Sequence, residues 1–144
     1  MIKSVRHIAI MMVVVMVALA PMAAAEQDQG KATSQIATAI RHAGLSGSQD
    51  AVEGAMRHLH HAVNCIEGPN GSNFDVSAGY PCAAQEGNGI LNDMGDADRG
   101  IAILVQAAND IAVNGVEAGD LESLQLAARG AIALLELVAA QRQP

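Results

Sequence analysis

The sequence predicts an all-α fold: a four-helix up-down-up-down bundle with one long loop, tied by a disulfide, between helices 2 and 3. Three observations predict it. Four stretches carry apolar residues at helical spacing, glycine-rich segments punctuate them, and nothing alternates with the period of two that marks a strand. The bundle is read as one domain over residues 26–144, because Met1 to Ala25 has the form of a secretory signal peptide. Lys3 and Arg6 open that leader, an apolar run follows from Ile8 to Ala20, and Ala23-Ala24-Ala25 supplies small residues for cleavage. The run falls short of the roughly 20 residues a membrane span needs.

Helix 1 is read over Gln27 to Ala43, where Ala32, Ile36, Ala39, Ile40 and Ala43 form one face. Gly44 and Gly47 are expected to stop it, as glycines beyond a helix end often do. Ser48 is a candidate cap for helix 2, whose stripe is Val52, Ala55, Met56, Leu59, Val63 and Ile66. Gly68-Pro69-Asn70-Gly71 ends it, and a polar, glycine-rich segment runs to about Gly95. Asp96 is expected to cap helix 3, with Ile101, Leu104, Val105, Ala108, Ile111 and Ala112 on its apolar side. Helix 4 is read from about Asp120 to Gln141, with Leu121, Leu124, Ala128, Ala131, Leu135 and Val138 facing inward. Leu126, Leu134 and Leu137 widen its apolar arc, so it is expected to be the most buried helix.

Losing Lys3 and Arg6 with the leader takes Lys and Arg from 8 to 6 against 15 Asp and Glu, a net charge of −9. That balance disfavours nucleic acid, whose phosphates call for clustered Lys and Arg, and disfavours an anionic membrane surface. Once the leader is removed no membrane span is expected. The predicted location is periplasmic or secreted.

Cys65 and Cys82 are the only cysteines. In an oxidising compartment an even pair reads as a disulfide, here one that ties the long loop. Closing a loop of this length stabilises by about 3 kcal/mol on the chain-entropy account. The only aromatics, Phe74 and Tyr80, fall inside the loop and are expected to form a small satellite core. With Asp75 between them, they are also the candidate residues of an interaction loop. Asn70, Asn73 and Asp75, like Asp93, Asp96 and Asp98, offer oxygen ligands, but neither group has the calcium-loop spacing.

The feature least expected by chance is His58-Leu59-His60-His61, followed by Cys65. On a helix His58, His61 and Cys65 follow an i, i+3, i+7 spacing and share a face, while His60 lies on the opposite boundary. Two imidazoles one turn apart suit Zn, Cu or Ni. Two ligands alone bind modestly, so a third is needed. His42 on helix 1 supplies it if the helices are antiparallel neighbours, although the wheel turns His42 away from its own apolar stripe. Asp75 or another loop oxygen is the other candidate. The competing reading makes the histidines supports for the loop.

Haem is the less favoured cofactor. C-x-x-C-H is absent, and aromatic residues for a porphyrin pocket are lacking, which leaves only a non-covalent site using a histidine with Met56 or Met94. Glu-x-x-His pairs for a di-iron centre, H-E-x-x-H and G-x-S-x-G are also absent, so an enzyme is not expected.

The histidine-bearing second helix in an exported four-helix plan resembles periplasmic small metal-binding proteins and, more distantly, cytochrome b562-type bundles. That resemblance covers the architecture of residues 26–144 and implies metal handling outside the cytoplasm. Two functions are open at this point. One is a metal-binding protein using His58, His61 and His42. The other is a non-catalytic structural or protein-interaction module that presents the tied loop to an unknown protein partner.

Overall fold

A computed structural model describes residues 30–94 and 99–142. These residues are all-helical, with no strand among them. Helix α1 spans 30–47, α2 Val52–Glu67, α3 Ile90–Asp93, α4 Arg99–Ala118 and α5 Leu121–Gln141; a 3₁₀ turn occupies Ala83–Gln85. The leader and Asp96 lie outside the described residues.

The expected apolar faces make the core. Ala32, Ile36, Ala39 and Ala43 of α1, Leu59, Val63 and Ile66 of α2, Val105, Ala108 and Ala112 of α4, and Leu124, Ala128, Ala131, Leu135 and Val138 of α5 are all buried. The helix interiors supply no aromatic ring, so the core is built from short side chains that let axes approach. Gly115 marks one such approach: a Cβ there would collide with Ala127 and lie 3.2 Å from Leu59 Cδ2.

Three boundaries differ from the sequence expectation. Helix α1 does not stop at Gly44. It runs to 47, because a glycine interrupts a helix only where another conformation is better supported, and Ser46 ties this last turn to α2 by donating to Ala55 O at 2.8 Å. Ser48 does not cap α2. Its hydroxyl turns back to Leu45 O at 3.0 Å, and α2 starts after Ala51 with no side-chain cap. The middle segment is not a plain loop up to Gly95, since α3 buries Ile90 and seats Met94 against the core. The last helix begins close to the expected position, and Asp120 caps it, accepting from Ser123 N at 2.9 Å and Ser123 Oγ at 2.6 Å.

The expectation that the last helix is the most buried is overturned. Leu126 and Leu137 are 56% and 53% exposed, whereas α2 buries a larger share of its residues. The reason is position: α2 packs on α3, α4 and α5 and also lies beneath the tied loop. By length and composition alone α5 is long and apolar enough to cross a membrane; a third of its most apolar window is buried in the fold, and Arg129 and Glu136 are exposed on it.

The Cys65–Cys82 disulfide is formed, with Cα atoms 5.5 Å apart. The chain leaving α2 and the chain entering α3 meet at Gly68 and Gly89, at φ +71° and +105°, a region that side chains avoid. A Cβ on either would collide with backbone beside the other. Inside the loop Phe74 and Tyr80 meet edge to face with centroids 5.4 Å apart, and Tyr80 Oη donates to Gly87 O at 3.1 Å. The satellite pair is therefore present, with both rings half-buried.

Candidate metal centre

His58 and His61 share a face of α2 because they are three residues apart. α1 brings His42 to that face. His42 Nδ1 lies 3.3 Å from His58 Nδ1 and 3.1 Å from His61 Nδ1. The ring centroids are 5.5 Å apart for His42–His58, 4.7 Å for His42–His61 and 5.5 Å for His58–His61. One nitrogen from each ring lies within 4.8 Å of the others. All three rings are half-buried.

These spacings have a chemical meaning. Zinc–nitrogen bonds of about 2.0–2.1 Å at tetrahedral angles place ligand nitrogens about 3.3 Å apart. The His42 separations of 3.1 and 3.3 Å lie close to that value, and the third pair falls within 4.8 Å, so the three rings converge on a space that an ion with imidazole ligands could occupy.

The loop orients one ligand. His61 Nε2 lies 2.6 Å from Ala78 O, and a carbonyl only accepts, so Nε2 carries the proton. In the neutral ring Nδ1 then presents its lone pair towards His42. Fixing a ligating histidine through its other nitrogen is the usual second contact of a metal site. Without an ion, the contact between His42 Nδ1 and His61 Nδ1 requires His42 to donate.

Burial and neighbouring positive groups favour the neutral forms of His42 and His58. Burial, then His61, His58 and Arg41, lower the pKa of His42 from 6.5 to about 4. Burial, then His61 and Arg57, also lower that of His58. His42 and His58 are thus uncharged near neutral pH, the state metal binding requires, and an ion would take the place of the proton on His42 Nδ1.

The loop approaches this face through three consecutive attachments on α2. His61 holds Ala78 O, Cys65 is bonded to Cys82, and Asn64 clamps Asp75 and Gly79 on either side of Ala78. Asn64 Nδ2 donates to Asp75 O and Gly79 O, both at 2.7 Å, while its Oδ1 accepts from Asp75 N at 2.9 Å.

Asp75 is not brought into the cluster. Its carboxylate accepts from Ser77 N at 2.8 Å and Ser77 Oγ at 2.6 Å, and those bonds lower its pKa. No other group of three or more His, Cys, Asp or Glu side chains suited to a metal occurs among the described residues. His60 stands apart from the triad and lines a small cavity of about 190 Å³ with Val63, Val113 and Val116.

Two connections were missed in the sequence. Asn64 sits inside an apolar stretch with no pattern to mark it as a clamp. Gln35, fully buried on α1, donates to Asp93 Oδ2 at 2.6 Å and accepts from Gly89 N at 3.1 Å. The only available signal was a polar residue beside an apolar stripe. Comparison with family models, curated proteins and solved structures gives no match for this chain.

Proposed function

We propose that this is an exported, non-catalytic protein that holds one transition-metal ion on His42, His58 and His61. The observation that carries the reading is the convergence of three imidazoles from two helices, with His42 Nδ1 at 3.1 and 3.3 Å from its partners. Neutral imidazole suits Zn, Cu and Ni, and in this reading water or an external ligand fills the remaining position. Haem fits less well. Its iron takes axial ligands on opposite faces of a wide macrocycle, not three imidazoles on one side.

Export rests on the leader over 1–25, which also implies a periplasmic or secreted location. The scaffold in this reading is the up-down-up-down bundle, similar in plan to periplasmic small metal-binding proteins and cytochrome b562-type bundles. α5 serves it as a packing helix, its buried face against the core and its charges outward. The acidic net charge favours approach of a cation over the roughly 8–10 Å that salt permits.

The test is metal analysis of untagged protein recovered from the periplasm, alongside a His58→Ala/His61→Ala variant. One equivalent of metal is expected in the parent, with affinity reduced by more than about 100-fold in the variant, because loss of even an outer contact costs roughly 10–100-fold. Equal metal content in the two proteins would overturn the reading.

The alternative, an interaction module that uses the tied loop, has one observation in its favour. Val76, at the outer part of that loop, is 81% exposed. Phe74 and Tyr80 are engaged with each other, so Val76 rather than the rings would be the apolar anchor. This alternative expects the double variant to loosen the loop and leave metal content unchanged.

A further inference from the structure

A second feature lies away from the histidines. A cleft of about 640 Å³ runs between the end of α2, the first half of the tied loop and α4, and none of the three histidines lines it. Its floor holds a carboxylate: Glu67, 6% exposed. Glu67 Oε1 accepts from Asn73 Nδ2 and Asn109 Nδ2, both at 2.6 Å, and Oε2 accepts from Asn73 N at 2.7 Å.

All three donors are neutral. Among the described residues no Lys or Arg lines the cleft. Glu67 is also the last residue of α2, where the helix dipole is negative and disfavours an anion. Buried carboxylates ordinarily have a positive partner, and none lines this cleft among the described residues.

An independent observation concerns Asn109. It is 3% exposed and on the cleft wall, yet its Oδ1 has no donor. Turning the amide over would set Oδ1 against Glu67 Oε1, oxygen to oxygen, so the orientation is fixed by its neighbour. Buried acceptors without a donor are rare in folded proteins. At the rim Asp110 adds an exposed carboxylate, which accepts from Gln106 Nε2 at 2.8 Å.

The missing complement is a positive group with N–H donors. A hard metal ion fits poorly, since it takes about 6–8 oxygens and those of Glu67 already accept from amides. An organic cation leaves these bonds in place, offsets the charge and gives Asn109 Oδ1 a donor. The cleft has the size of a small-molecule site, and amides such as Gln106 and Asn92 suit a polar ligand body. We propose that this cleft binds a small molecule bearing a primary ammonium or guanidinium group, held by Glu67 and Asn109 with Asp110 at the entrance.

Calorimetry on the purified, metal-stripped protein tests it, using putrescine and agmatine as cationic probes, 1,4-butanediol as the neutral control and calcium chloride as the metal probe. Binding of either cation, without the diol or calcium, is expected. Glu67→Gln should weaken it at least tenfold and Asp110→Asn several-fold. Circular dichroism checks the Glu67→Gln fold; if that variant is unfolded, the exposed Asp110→Asn change decides. His58→Ala/His61→Ala should bind the cations unchanged, which separates this site from the metal reading. No binding of either cation at millimolar concentration, uptake of calcium instead, or cation affinity indifferent to both carboxylate changes would overturn the proposal.

Discussion

At the residue scale, His42 is the most strongly perturbed member of the triad. Its pKa of about 4 in the folded protein, against 6.5 ordinarily, means the unfolded chain binds the extra proton between those values. Stability therefore rises with pH through that window and is lost as pH falls from about 6.5 towards 4. His58, lowered in the same direction, contributes with the same sign. Burial is the main cause for both, and the neighbouring His61, His58, Arg41 and Arg57 act in the same direction. Thermal unfolding of metal-free protein should thus show a midpoint that drops across this range, and a His42→Gln variant should flatten the drop. A parent whose midpoint rises on acidification would contradict this account. The spacing of His58 and His61 was legible in the sequence. The meeting with His42 was not, because a helical wheel fixes a direction around one axis and does not place a neighbouring helix. That His42 turns from its own stripe is compatible with pointing along the seam between α1 and α2.

At the element scale, the tied loop depends on α2 more than on its own sequence. Asn64 accounts for two carbonyls and one amide of the loop, so Asn64→Ala leaves half-buried backbone groups without these partners. The expected cost is about 1–3 kcal/mol. Hydrogen exchange should show residues 75–79 opening sooner while α4 and α5 keep their protection. Unchanged exchange there would show that the disulfide alone holds the loop. The cysteine pairing and the Phe74–Tyr80 contact were legible, since few partners exist for each. The stop at Gly44, the Ser48 cap and the uniform loop up to Gly95 were misread for a common reason. Each inference used local propensity, whereas α1 is extended by the Ser46 bond to α2, and α3 forms because Ile90 and Met94 have a core to enter.

At the scale of the whole molecule, a core of Ala, Leu, Ile and Val gains its density from close axes rather than from large side chains. α4 and α5 approach at Gly115, where even a Cβ would collide with Ala127. Gly115→Val should destabilise the fold by roughly 1–3 kcal/mol through overpacking, read as a lower denaturant midpoint with little change in slope. The all-helical class and inward faces were legible from periodicity. The ranking of burial was not, because exposed Leu126 and Leu137 are indistinguishable in composition from buried Leu124 and Leu135. What the whole arrangement accomplishes is to bring a residue from α1, two from α2 and a loop carbonyl to one place. That is the structural basis of the proposed metal site.

X-ray absorption at the zinc edge, on protein loaded with one equivalent of Zn²⁺, tests that claim most directly. Three imidazole nitrogens at about 2.0–2.1 Å with one further light ligand are the expected result. Zinc that fails to bind stoichiometrically, or that carries fewer than three imidazoles, would contradict the account.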